Sequence, residues 1–378
     1  MTNAIDALAI KKRAVSTALG LGAGAACVAP ANLDDRSRRR MQAAFARGDF
    51  GSWPYDAGYA RRANDPSFVL DGARSVICVA LPYARPQPKI NAPLHGRVSN
   101  YAWSEDYHAR LKELLRGVAG EIDAAVGEPV TAIACDTKPL AERAFAARAG
   151  VGWIGKHTNL ISPALGSFVF LGEIVTTLEL PPDAPAHKSC GSCTRCVQAC
   201  PTQALRGDYT IDANRCISDL TQRTGSIPRA LRPLIGNWVW GCDLCQTVCP
   251  PTAAAPYAAP EWEPMDDDSA RPPLLDLLSL RSGAFKRRYE KTAMGWRGAA
   301  VLRRNAAVAL GNALDRSAVG GLIRTLQGDP HPMVRGHAAW ALGRIGSPRA
   351  LEALRERYTV ERNPEVRTEI VSAMESFT

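Results

Sequence analysis

No stretch of this 378-residue chain is apolar for long enough to cross a bilayer. The run Ala18–Ala31 has 14 residues, against the roughly 20 a spanning helix needs. Lys11-Lys12-Arg13 precedes it as in a secretory signal, but the run is rich in Gly and Ala rather than Leu. It predicts a helix over Ala14–Leu21 and a buried strand over Ala25–Ala29. No Walker phosphate loop and no dinucleotide-binding fingerprint is read in the chain, which disfavours ATP or NAD as its cofactor. Cysteine is scarce outside one block: of eleven, only Cys27, Cys78 and Cys135 lie outside residues 190–249. Such clustering excludes a scattered disulfide framework and favours metal ligation in a reducing compartment. Excess charge is missing from residues 1–270, which carry +1, whereas residues 271–378 carry +8 of the total +9. The asymmetry points to a polyanionic partner for the last third. With 46% apolar and 22% charged residues, disorder is excluded and two or three domains are expected.

Residues 1–180 alternate strand-like and helix-like stretches, predicting an α/β domain. Strands are expected at Ala25–Ala29, Ser75–Leu81, Val130–Cys135, Ser167–Phe170 and Glu173–Thr177. Helices are expected at Arg38–Arg47 and Asp106–Val126, where Tyr107, Leu111, Leu114, Leu115, Val118 and Ile122 share a face. Pro181, Pro182 and Pro185 read as a linker to a ferredoxin-type block, residues 181–272. In residues 273–378, Leu302-Arg303-Arg304-Asn305-Ala306-Ala307 recurs at Val334–Ala339 and more weakly at Val366–Val371, a period of 32 residues. Two helices per repeat predict a short HEAT-like α-solenoid.

Cys190-x2-Cys193-x2-Cys196-x3-Cys200-Pro201 has the rhythm of a bacterial ferredoxin, in which the fourth cysteine serves the other cluster. A second run, Cys242-x2-Cys245-x3-Cys249-Pro250, lacks its first cysteine: Val239 stands there, and Cys216 makes up the number. The crossed pattern assigns Cys190, Cys193, Cys196 and Cys249 to one [4Fe–4S] cluster. It assigns Cys200, Cys216, Cys242 and Cys245 to the other.

Asp136 at a predicted strand end, then Gly150-Val-Gly-Trp-Ile-Gly-Lys156-His157-Thr-Asn159, suit a cofactor pocket; Asp136 could equally cap a helix starting near Pro139. Asp136-Thr-x-Pro-Leu-x-Glu-Arg, Arg148-Ala-Gly-Val-Gly-Trp-Ile-Gly-Lys-x-x-Asn-Leu, Gly241-Cys-Asp-x-Cys-Gln-x-Val-Cys-Pro and Asp106-Tyr-His together resemble the epoxyqueuosine reductase family. The resemblance covers essentially the whole chain. It implies a cytoplasmic, cobalamin-dependent enzyme with two [4Fe–4S] clusters that reduces the epoxide of epoxyqueuosine to an alkene at the tRNA wobble position. It further implies Asp136 as proton donor, its pKa raised by burial. Lys156, His157, Asn159, Ser167, Thr221 and Gln222 are the expected cobalamin contacts. The D-x-H-x-x-G motif that offers cobalt a histidine elsewhere is absent. An external single-electron donor and a monomer are expected.

Arg303, Arg335 and Arg367 recur at one place in each repeat. Either they bond acids of neighbouring repeats, Asp329 being a candidate, or they track RNA phosphates with Lys286, Arg287, Arg288, Arg297 and Arg304. The rival readings are an exported reductive dehalogenase and a ferredoxin-like carrier with a protein-binding solenoid.

Overall fold

A computed structural model describes residues 6–51, 53–88 and 94–377. The chain divides into two compact units, each assembled from separate stretches: residues 1–84, 106–214 and 244–259, and residues 85–105, 215–243 and 260–378. The proline-rich stretch near residue 181 falls inside the first unit. There Asp183 accepts hydrogen bonds from Lys11 Nζ (2.6 Å) and Val28 N (2.9 Å), which fasten it to the sheet.

That sheet has four strands: β1 (Ala25–Pro30), β2 (Ser75–Pro82), β3 (Thr131–Ala134) and β4 (Val169–Thr176), in the order β1-β2-β4-β3. Every pairing is antiparallel. The rule that ligands gather at the carboxyl edge of a parallel sheet therefore does not apply here. The two strands expected at Ser167–Phe170 and Glu173–Thr177 are one, running through Gly172. Glycine is needed there because a Cβ would lie 2.8 Å from Leu115 Cδ1. Leu115 belongs to the helix Tyr107–Val126, whose face Leu111, Leu114, Leu115, Val118 and Ile122 is buried. Asp106 caps this helix, accepting from His108 N at 3.0 Å.

The short helix Glu142–Arg148 buries Phe145 and Ala146 against sheet residues Ala29, Val76, Cys78, Ala80, Ala134 and Val175. Gly150, Gly152 and Gly155 do carry the G-x-G-x-x-G spacing, contrary to the sequence reading. They lead into the two-residue strand Trp153–Ile154 rather than a helix, so no helix N-terminus faces a pyrophosphate.

The second unit contains the repeats as helices Ala299–Ala313, Val319–Gly328, Pro332–Ile345, Pro348–Val360 and Pro364–Glu375. Gly311 and Gly343, one period apart, let successive helices meet: a Cβ would come within 2.7 Å of Trp340 and 2.9 Å of Ala373. The repeat arginines are structural. Arg303 pairs with Asp329 (2.6 Å) and Arg335 with Glu361 (2.8 Å), the same offset in both, while Arg367 donates to the carbonyls of Tyr358 and Glu361. Asp329 thus serves Arg303, not Arg335. Hydrogen bonds from Arg335 hold the Glu361 carboxyl down at about 2. Arg304 is wholly buried and donates to the carbonyls of Leu220, Arg223 and Gly225, and Asn305 donates to those of Thr221 and Val239. These residues cannot line an RNA strip, because their cations and amides are consumed inside the unit. Among the described residues, no helix is long and apolar enough to cross a membrane.

Phe145 is fully buried between helix and sheet. Phe145→Ala is expected to destabilise the first unit by about 3–5 kcal/mol, from lost apolar transfer and the cavity left behind; denaturant unfolding measures it.

Candidate active site at Asp136

Two residues beyond β3, Asp136 adopts φ +52°. This left-handed region is uncommon outside glycine and is tolerated by Asp better than by most residues. The Asp136 N–H donates to Glu142 Oε1 at 2.5 Å, which pins the turn. Glu142 opens the helix that follows, whose N-cap, Ala141, makes no side-chain bond. Asp136 is therefore not a helix cap.

The Asp136 side chain is 62% exposed. Its Oδ2 accepts from Tyr107 Oη at 3.0 Å and lies 3.4 Å from His108 Nε2, an ion-pair contact longer than a well-aligned hydrogen bond. On its other side, His108 Nδ1 meets Asp106 Oδ1 at 2.6 Å. Asp106 and Asp136 together raise His108 to about 9, with Asp106 the stronger influence, so the imidazole is a cation at neutral pH. Burial pushes the Asp106 carboxyl up, but the bonds from His108 outweigh it and leave it low. His108 is also the main reason the Asp136 carboxyl lies below its ordinary value, with Tyr107 adding to it. Burial was expected to raise Asp136; here its carboxylate is exposed, and the bond from His108 lowers it instead. Tyr107 stacks on Phe170 at 4.1 Å, which fixes its hydroxyl. From the sequence Tyr107 was read only as part of the apolar helix face and His108 was given no role, although Asp106-Tyr-His at a helix start was the visible signal.

Behind Asp136 stand two further acids the sequence reading passed over. Burial pushes Glu142 up to about 7, against the lowering influence of the Asp136 N–H. Glu173, wholly buried in β4, is pushed well above the ordinary range by burial and by Glu142. Burial likewise holds the Cys135 thiol at about 12, so it is neutral.

The glycine ribbon Trp153–Ile154/Leu160–Ile161 lies in the same unit. His157 is 2% exposed; its Nδ1 accepts from Asn159 N at 3.2 Å, and its Nε2 has no partner. Trp153 Nε1 is likewise buried without one. Burial lowers His157 to about 4, so the ring is neutral and its Nε2–H is an unmet donor. Other expected contacts are committed elsewhere. Lys156 Nζ donates to Gly191 O (2.9 Å), in the loop between Cys190 and Cys193, and Ser167 Oγ meets Thr252 Oγ1 (2.9 Å) just past Cys249. In the second unit, Thr221 Oγ1 donates to Ile217 O and accepts from Gly241 N, and Gln222 Nε2 donates to Ser218 O.

None of the eleven cysteines forms a disulfide. Cys196 is raised first by burial and then by Cys190, Cys249 and Cys193, and Cys249 is influenced by Cys190 and Cys193. These four thiols, all in the first unit, lie near enough to influence one another. Cys200 Sγ accepts from Ala204 N at 3.3 Å, the kind of amide–sulfur bond that tunes a cluster's potential. Cys200 and Cys245 belong to the first unit, Cys216 and Cys242 to the second. No three His, Cys, Asp or Glu side chains among the described residues gather on a single-ion site; a cubane spreads its thiolates over several irons instead.

Three family models match the chain: a 4Fe-4S double cluster binding domain at residues 189–252, HEAT repeats at 298–375, and Epoxyqueuosine reductase QueG at 63–137. An epoxyqueuosine reductase of Bacillus anthracis is 38% identical over 332 residues, covering 85% of this chain and 87% of that protein. One from Staphylococcus aureus is 31% identical over 98% of both. Among solved structures, an epoxyqueuosine reductase with an epoxyqueuosine-modified tRNA stem loop is 33% identical and superimposes with a TM-score of 0.92, covering 98% of this chain and 99% of that one. A Bacillus subtilis structure with its catalytic aspartate loop swung out of the active site gives 0.91 at 32% identity, with the same coverage.

The His108 cation sets a pH dependence. Because its folded pKa is raised from 6.5 to about 9, its contribution to stability is complete below the lower value and fades as pH rises through the upper one. His108→Gln is expected to abolish that alkaline loss and to move the Asp136 titration upward; thermal unfolding across the window and carboxyl-carbon NMR measure the two effects.

Proposed function

Because the chain belongs to the epoxyqueuosine reductase family, we propose that Asp136 is the group that gives protons to the epoxide oxygen in its reaction. Reduction of an epoxide to an alkene takes up two electrons and two protons and releases the oxygen as water. An alkoxide is too basic to leave unaided, so a positioned acid is required. The observation that carries the assignment is the exposed Asp136 carboxylate, held on a left-handed turn between the Tyr107 hydroxyl and the His108 cation. His108 stores a proton within one transfer of Asp136. A substrate that covers this carboxylate removes its water, raises its pKa and favours the protonated acid. The swung-out aspartate loop of the Bacillus subtilis relative supports a turn that moves as a unit.

Eight cysteines between residues 190 and 249 provide the donors for two [4Fe–4S] clusters. The unmet Nε2–H of His157 and Nε1–H of Trp153 fit the carbonyl-rich rim of a corrin, and these two residues are assigned to hold it. Lys156 and Ser167 brace the ribbon against the cysteine loops, and Asn159 orients His157. Bound cobalamin supplies a low-potential metal centre for the reduction, and the clusters supply single electrons from an external donor. A tRNA substrate supports a cytoplasmic enzyme. Of the other expected cations, Arg288 pairs with Asp266 and Arg297 lies over the Trp296 ring, while Lys286 and Arg287 are exposed on the helix Ser282–Tyr289 and are candidates for phosphate contact. A simple electron carrier would leave the Asp106–His108–Asp136 array without a task.

Asp136→Asn in the holoenzyme is expected to lower turnover of epoxide-bearing tRNA by about 10²–10⁴-fold while cluster and corrinoid absorbance stay unchanged; near-normal turnover refutes the role. Replacing Lys286 and Arg287 together by Ala should weaken tRNA binding and reduce the slope of log affinity against log salt by about 1–2. Binding titrations at several salt concentrations read this.

A further inference from the structure

Glu173 sits in the centre of the sheet, in register with Cys78 of β2 on one side and Ala134 of β3 on the other. It is 0% exposed, and neither carboxyl oxygen has a hydrogen-bond partner. An ionised carboxylate left alone in such a place costs several kcal/mol, so the group must hold a proton or share one. Cys78, Ala134 and Val175 show which face Glu173 is on: the face covered by the helix Glu142–Arg148. That helix begins with Glu142, whose Oε1 receives the Asp136 N–H at 2.5 Å. A buried acid, a second acid and the exposed acid thus follow one another from the sheet interior outward.

We propose that Glu173, with Glu142 between it and Asp136, keeps a proton in reserve and passes it to Asp136 for the second C–O cleavage; the two glutamates share no direct hydrogen bond, so the proton crosses between them by a bridging water. The inference rests on Asp136 being the proton donor. Asp136 gives its first proton to the epoxide oxygen as one C–O bond breaks, leaving a hydroxyl on the ring. The pair's proton then moves from Glu142 to Asp136, with Glu173 resupplying Glu142. Asp136 gives it to that hydroxyl as the second C–O bond breaks and water departs. The two electrons are those of the reduction itself, and the pair regains its proton from solvent through Asp136. Around the pair lie the Cys78 and Cys135 thiols and Tyr59, all neutral near pH 7, with Asp136, Arg143 and the His108 cation on the outer side. Two adjacent acids in such surroundings do not both ionise near neutrality.

Glu173→Gln keeps the side-chain volume and removes one titrating site. In the holoenzyme, turnover is expected to be near wild type at about pH 6 and about 10-fold lower at about pH 8, with KM for tRNA unchanged. The infrared band of protonated buried carboxyl, present in the wild type near neutral pH, should lose the contribution of Glu173, that of Glu142 remaining. A wild-type pH profile with the band intact overturns the proposal. Should this variant not fold with its clusters, Glu142→Gln decides. It retains an acceptor for the Asp136 N–H but carries no proton, and it should lose turnover about 10-fold at every pH; unchanged turnover overturns the proposal equally. Asp136→Asn separates the two levels. If it is active, the donor assignment itself fails; if it is inactive while both Gln variants behave as wild type, only the relay fails.

Discussion

The contact between the Asp136 carboxylate and the His108 imidazolium governs the site. Its 3.4 Å separation is short enough to hold Asp136 charged at rest and long enough to leave the carboxylate available to a substrate. Asp106 makes this possible by bonding the far nitrogen of the same ring, so one imidazole answers to two acids. Remove Asp106, and His108 loses its strongest reason to be cationic, and with it Asp136 loses the main influence that keeps it low. The rest of the first unit supports that arrangement. Phe170 stacks under Tyr107, Gly172 lets the helix of Tyr107 and His108 settle onto β4, and Phe145 anchors the helix whose first residue pins the Asp136 turn.

Local patterning made much of this architecture readable in advance. The apolar face Leu111–Ile122 and the strand Ser75–Leu81 were clear because burial imposes a period on the residues themselves. The cysteine block was clear for a stronger reason: cluster ligation constrains spacing along the chain, which a sequence displays directly. The 32-residue repeat was equally plain, since each unit must present the same surface to its neighbour.

What escaped depended on contacts between distant positions. β4 was split in two because Gly172 looks like a breaker until Leu115 is seen against it. The charge state of Asp136 was misjudged because burial was assumed and a cation 28 residues earlier was not paired with it. Glu173 gave no signal at all, as a single acid among apolar strand residues is indistinguishable from an exposed one. The positive charge of the tail suggested RNA at every arginine, yet Arg303, Arg304, Arg335 and Arg367 are bonded within the unit.

Arg304 and Asn305 carry a consequence for how this polypeptide can change over time. Between them they donate to the carbonyls of Leu220, Thr221, Arg223, Gly225 and Val239, in the stretch between Cys216 and Cys242. Those carbonyls have been withdrawn from water, and a chain ending before residue 304 would leave them orphaned. The helical repeats are therefore not an accessory that a lineage can discard at small cost. Their first helix is the inner lining of the segment that carries two of the thiols, and shortening the protein from its C-terminus would be felt at the metal before it was felt at the nucleic acid.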